Sequence, residues 1–197
     1  DKIPLLKEAQ DYVREGYKQW SKRELGKSSE SFENAVKLFT KADNNLETRI
    51  CEYLILNTLF QFNKVKESNE LYLKLAESGE SQQYRWIATQ AYTRLAYGTC
   101  SENKLSKSIE SSNKALELAK QTDDSYNSQR LFSLLADRYR QLGRFDLALK
   151  YSEQSLEIAN LPEASRRQTW TDYDVATQTF FAKRFFKTAV AFQKEAL

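Results

Sequence analysis

Histidine is absent from the 197 residues, so neither a Ser-His-Asp nor a Cys-His centre can form within them. The commonest metal-ligating side chain is missing with it. The reactive groups that remain are Cys51, Cys100 and two carboxylate groupings, Asp123-Asp124 and Asp172 with Asp174. Two cysteines are too few for a four-thiolate zinc or iron–sulfur site. A glycosidase-like pair needs two carboxyls across a cleft, one kept neutral by burial. The carboxylates here read instead as helix-start and surface charges. Lys183-Arg184 beside Phe185-Phe186 has the composition of a binding patch, but it falls at a turn, where Phe185 or Phe186 takes the packing role of Phe145. Arg166-Arg167 reads as a solvated pair at a helix start. No glycine loop of the phosphate-cradling kind is present. The expectation is a chain without catalytic residues, cofactor or metal.

Composition narrows the class of fold and partner. With 30 Lys+Arg against 27 Asp+Glu the formal charge is +3, which gives nucleic-acid binding no support. A hydrophobic content of 41% and a charged content of 29% fit a folded protein. The longest apolar runs, such as Tyr53–Leu56, fall far short of a membrane span. Only 5 Gly and 2 Pro argue against a sandwich or barrel and for long helices. The chain opens on Asp1 without an initiator Met, which suggests a piece of a longer protein.

The elements repeat. Shifting the sequence by 40 residues aligns Ile55, Leu95 and Leu135, then Leu56, Ala96 and Ala136, then Leu59, Thr99 and Tyr139. Ala176, Thr177 and Phe180 continue these columns with a step of 41, so one residue is inserted near the final turn or before it. Beyond each turn, Ser68, Ser108, Ala148 and Ala189 form a small-residue column, and Ala76, Leu116, Leu156 and Leu197 a further one. Near the N-terminus, Gly16 takes the place of Ala136 and Ala35 that of Ala148, with the stretch 22–30 as a connection about seven residues longer than its counterparts. Small residues mark where paired helices cross closely; Leu56 is an exception. Trp20, Leu59, Tyr139 and Phe180 fill the space between helices. Asp124 or Ser125 is expected to cap the helix that runs to Leu142, and Gly143, Asn103 and Asn63 share the column of the left-handed turn residue. Pro4 suits a first helical turn, and Pro162 blocks continuation of the helix ending near Asn160.

The segment Phe132, Leu135-Ala136, Tyr139, Gly143, Ala148, Leu156 and Pro162 resembles a tetratricopeptide repeat (TPR). The remaining units keep the small and apolar columns but not the turn glycine. The 40-residue period is similar to the long-helix variants, and the N-terminal unit looks most like the start of bacterial repeat regions that precede CHAT (caspase-like) domains. The resemblance implies an all-α, right-handed α-α superhelix of about five helix pairs. It would form one domain over 1–197, with units near 3–43, 46–78, 82–121, 124–161 and 163–197. A single pair cannot bury its apolar face alone, so neighbouring pairs must stack.

The resemblance also implies a function, the binding of a protein or peptide in a groove lined by the first helix of each pair. Mapped onto this chain, the groove columns hold Tyr17, Trp20, Tyr53, Asn57, Phe60, Gln61, Gln90, Tyr97, Arg130, Asp137, Arg140, Gln141, Asp174 and Gln178. Aromatic rings offer rigid contact area and amides bond an extended backbone. The mixed charge disfavours a strongly acidic or basic ligand. The basic set with which some TPR domains grip chaperone tails is incomplete, since Val13, Asn57, Arg94 and Arg130 stand at those columns. The alternative is a regulatory or oligomerisation module of a larger, CHAT-type protein, with self-association. Cys51 and Cys100 lie nine positions apart in repeat register, roughly 13 Å at ~1.5 Å per residue, too far for a disulfide. Two free thiols are expected, compatible with a reducing compartment.

Overall fold

The structure, a computed structural model, describes residues 2–61, 64–159 and 166–195, with side chains for all of these but 166–170, 186 and 195. Ten helices and no strand occur among the described residues. They are α1 (Ile3–Ser21), α2 (Leu25–Lys41), α3 (Asn45–Gln61), α4 (Val65–Ser81), α5 (Arg85–Ser101), α6 (Leu105–Lys120), α7 (Ser125–Gln141), α8 (Phe145–Ala159), α9 (Arg166–Ala182) and α10 (Phe186–Glu195). Two compact units divide them, α1–α5 within residues 1–102 and α6–α10 within 103–197. Pro4 lies in the first turn of α1 as expected. Asn63 and Pro162 lie outside the described residues.

The turns follow one rule. Arg23, Asp43, Gln83, Asn103, Asp123, Gly143 and Arg184 all have positive φ, between 50° and 70°. From residue 23 to residue 143 these positions are multiples of 20 apart, half the period of the sequence columns. At most of them the next residue's N–H reaches back five positions, as in Glu24 to the Gln19 carbonyl (3.0 Å), Tyr84 to Gly79 (2.7 Å) and Arg144 to Tyr139 (2.9 Å). This closes each helix with a left-handed residue and satisfies its last carbonyls. Only one of the described left-handed positions uses glycine, so the others bear a steric penalty of roughly 1 kcal/mol each. Gln83→Gly is expected to raise stability by about 1 kcal/mol in urea unfolding; a loss of stability would contradict the turn geometry.

Asp124 caps α7 as predicted, its Oδ1 accepting from the Asn127 N–H at 2.9 Å. The inserted residue is also placed. α8 starts 40 residues after α6 and α9 starts 41 after α7, so the insertion lies between Phe145 and Arg166.

The N-terminal connection is corrected. Residues 22–30 are no long loop: a three-residue turn is followed directly by α2. Ala35 is therefore not the counterpart of Ala148. Ser28 is, twelve residues after Gly16 as Ala148 is after Ala136, with its Oγ donating to the Gly16 carbonyl at 2.9 Å. The small-residue column then reads Ser28, Ser68, Ser108, Ala148 and Ala189, all buried. Ala35 is buried too, with Ala9, Phe39 and Cys51 in a core cluster of the first unit. Gly16 and Phe32 fit as small against large, since a Cβ on Gly16 would stand 2.6 Å from the Phe32 ring.

Polar residues share the core by bonding their own backbone. In α5, Thr89, Thr93 and Thr99 donate to the carbonyls four residues back, at 2.7 to 2.8 Å, so buried hydroxyls sit mid-helix without an orphaned donor.

Candidate functional site

In the first unit the groove columns of α3 and α5 converge on one cluster. Tyr53 on α3 is buried, its ring 6.2 Å from Tyr72 of α4 and 6.1 Å from Trp86 of α5. Arg94 on α5 donates through Nε to the Tyr53 hydroxyl at 3.4 Å. The Tyr72 hydroxyl donates to Asn57 Oδ1 at 2.8 Å, a bond buried at both ends. Burial opposes the Arg94 charge, but its interactions with Tyr53, Tyr72 and Tyr97 hold its pKa above the ordinary value. Burial likewise raises the Tyr72 phenol pKa. The result is a guanidinium bonded to the Tyr53 hydroxyl with three tyrosines around it.

The expected groove residues divide by exposure. Tyr53 and Asn57 are 7% and 8% exposed and are engaged inside the protein, so they support the surface more than they form it. Tyr17 and Gln61 are exposed, and Trp20, Phe60, Gln90 and Tyr97 are half-buried. Tyr17 packs edge-on against Phe32 at 5.5 Å. Burial, with Cys51, Tyr53 and Glu47 nearby, raises its phenol pKa.

In the second unit the charged groove residues pair along their own helices. Asp137 accepts from Arg138 at 2.5 Å, Arg140 at 2.6 Å and Gln141 at 2.8 Å. Gln178 donates to Asp174 at 2.7 Å. Arg130 is half-buried.

Two features escaped the sequence reading. Trp86 and Tyr72 complete the first-unit cluster around Arg94, which the groove columns already held; the signal for Tyr72 was its place 40 residues after Phe32. Asp172 is the other, and here the expectation of a surface charge is wrong. Asp172 is fully buried, accepting from the equally buried Gln129 at 2.8 Å, while Ser155 donates to the Gln129 carbonyl at 2.9 Å. Its column runs Cys51, Ala91, Leu131 and Asp172, all buried, so a carboxylate in an apolar register position was the available cue. Around Lys183-Arg184, Lys183 bonds Asp146 at 2.5 Å and lies over the Phe185 ring, which is exposed rather than packed as Phe145 is. The counterpart of Phe145 is Phe186, whose side chain is outside those described.

Cys51 and Cys100 are free thiols, the first buried and the second half-buried. Burial, aided by Glu47 and Glu52, pushes the Cys51 thiol up to about 12. At pH 8 its thiolate is then about one part in ten thousand. Iodoacetamide at pH 8 is expected to label Cys100 at least tenfold faster than Cys51 in the folded protein, read by peptide mass spectrometry; equal rates would show that the α3 core opens readily.

No helix among the described residues is long and apolar enough to cross a membrane. No group of His, Cys, Asp and Glu suited to a metal ion occurs among the described residues.

The family model for the tetratricopeptide repeat matches residues 88–160. Among curated proteins, none matches the sequence. Solved structures do match in fold. The Podosopora anserina putative kinesin light chain nearly identical TPR-like repeats superpose with a TM-score of 0.75 at 12% identity, covering 95% of this chain and 92% of that one. The apo form of RapI gives 0.82 at 14% identity, over 98% of this chain and 52% of that one. Rap protein complexed with Competence and Sporulation Factor gives 0.74 at 13% identity, over 96% and 53%. The chain thus spans about half the length of the last two. Identities this low speak for fold alone, an all-α helical-repeat solenoid. Residues 88–160 match the tetratricopeptide-repeat model, and the chain shares the helical-repeat fold of these solved structures.

Proposed function

We propose that this chain is a non-catalytic scaffold that binds a peptide or protein segment on the first-helix faces of its pairs. The observation that carries this reading is the Arg94 guanidinium bonded to Tyr53, with Tyr97 beside it and Trp86 half exposed. Such a surface is preformed, so a ligand loses little affinity to side-chain ordering. Tyr17, Trp20, Phe60, Gln61, Gln90 and Tyr97 would contact the ligand in the first unit, with Tyr53 and Asn57 as supports and Arg94 as polar anchor. In the second unit the contacts would come from Arg130, Asp137, Arg140, Gln141, Asp174 and Gln178. The solved Rap protein in complex with Competence and Sporulation Factor supports a binding role for this fold. One repeat domain over 1–197 is part of the same reading.

A random 12-residue peptide display library selected against the chain should yield binders. Arg94→Gln and Tyr97→Ala should each weaken a selected peptide by about tenfold or more in fluorescence anisotropy. Unchanged affinity in both variants would remove the first-unit surface from the reading.

A further inference from the structure

Position 56 departs from the rest of its column. Gly16 and Ala136 are small, and the residues sixteen positions on are Phe32 and Ser152, so no such pair joins two bulky side chains. At the second pair the corresponding residues are Leu56 and Tyr72, both large and both buried. The helices respond. Ser28 bonds across its pair to the Gly16 carbonyl at 2.9 Å, whereas Ser68, its counterpart, turns back to its own helix and donates to the Val65 carbonyl at 3.0 Å. α3 and α4 accordingly pack more sparsely than α1 with α2 or α7 with α8.

The space between α3 and α4 is a cavity of about 330 Å³ with Ile55, Leu56, Leu71 and Leu75 as its apolar lining and Arg49, Glu52 and Lys74 as its charged one. Arg49 Nη1 bonds Glu52 at 2.7 Å, but Arg49 Nε is buried and has no partner. Two cations therefore face one carboxylate, and a guanidinium N–H is left without an acceptor. An apolar cleft with a buried donor that has no protein partner suits one occupant with an aliphatic tail and an anionic head. The volume is at the small end of the range for small-molecule sites.

We propose that the α3–α4 cavity binds a small aliphatic monocarboxylic acid, its carboxylate at Arg49 and Lys74 and its tail against Ile55, Leu56, Leu71 and Leu75. This site is separate from the first-helix surface proposed for a peptide.

Octanoate titrated into protein labelled with ¹³C at isoleucine and leucine methyls tests it. Saturable shifts are expected at Ile55, Leu56, Leu71 and Leu75. Octanol, which lacks the charge, should bind about tenfold more weakly, and Arg49→Gln should reduce octanoate affinity about tenfold while leaving octanol unchanged. Leu71→Trp, which fills the cavity from its rim, should abolish both shifts, with the remaining methyl spectrum reporting that the fold is intact. Shifts that do not saturate, that fall on other methyls, or that are equal for octanoate and octanol and indifferent to Arg49→Gln would overturn the proposal.

Discussion

Phe32→Ala is expected to lower the unfolding free energy by about 3–5 kcal/mol in urea denaturation, the usual loss for a fully buried ring. The reason for its large effect is its partner. Phe32 fills the space that Gly16 leaves on α1, and the crossing is tied by the Ser28–Gly16 hydrogen bond. Gly16→Ala sets two effects against each other. Alanine is about 1 kcal/mol better than glycine inside a helix, but its Cβ would meet the Phe32 ring at 2.6 Å, and overpacking of this kind costs about 1–3 kcal/mol. The net expectation is a loss of up to about 2 kcal/mol. Gly16→Ala combined with Phe32→Leu should be less destabilised than the sum of the two singles, because the smaller side chain makes room for the Cβ. Additive losses, or a Gly16→Ala variant more stable than the parent, would show that the crossing is looser than described.

Asp172→Ala should cost about 2–3 kcal/mol. The carboxylate and Gln129 are both fully buried and bonded at 2.8 Å, so truncation leaves a buried amide donor without its acceptor. Asp172→Asn keeps an acceptor oxygen in place and should cost about 1 kcal/mol or less. Hydrogen exchange along α7 and α9 separates this from a general loosening, since both helices should lose protection together in the alanine variant. If Asp172→Ala and Asp172→Asn behave alike, the hydrogen bond to Gln129 contributes nothing that the apolar packing does not already supply.

The helix pairs were legible because burial and the repeat impose the same columns, and a column seen three times outweighs any one residue. What the sequence hid has physical causes. Ser28 gave way to Ala35 because an N-terminal connection read as about seven residues longer moves the α2 register by the same amount, whereas the chain turns within three residues and the Ser28 hydroxyl bonds the Gly16 carbonyl. The turns were legible at Gly143 and Asn103 but not at Arg23, Gln83 or Arg184, since these residues adopt the left-handed conformation against their own preference and local composition carries no trace of it. In the candidate site, the column shows which helix face Tyr53 and Asn57 occupy. It does not show that Tyr72, from the following helix, takes the Asn57 oxygen and draws both inward. Asp172 was readable in principle, from its register beside Cys51, Ala91 and Leu131, but a carboxylate in sequence suggests solvent unless the column is trusted over the residue type.

The even spacing of the left-handed turns makes length a counted quantity in this fold. Each turn ends one helix and reverses the chain, so a run of 20 residues is one pass and a run of 40 restores the original direction. Gain or loss of a 40-residue block would leave every later side chain on the face it had before. Gain or loss of a single 20-residue pass would exchange the first and second helices of every pair that follows. Growth by whole hairpins is therefore the neutral step for such a chain. The one extra residue falls between the starts of α8 and α9, so the count changes once there while the α9 and α10 columns keep their spacing.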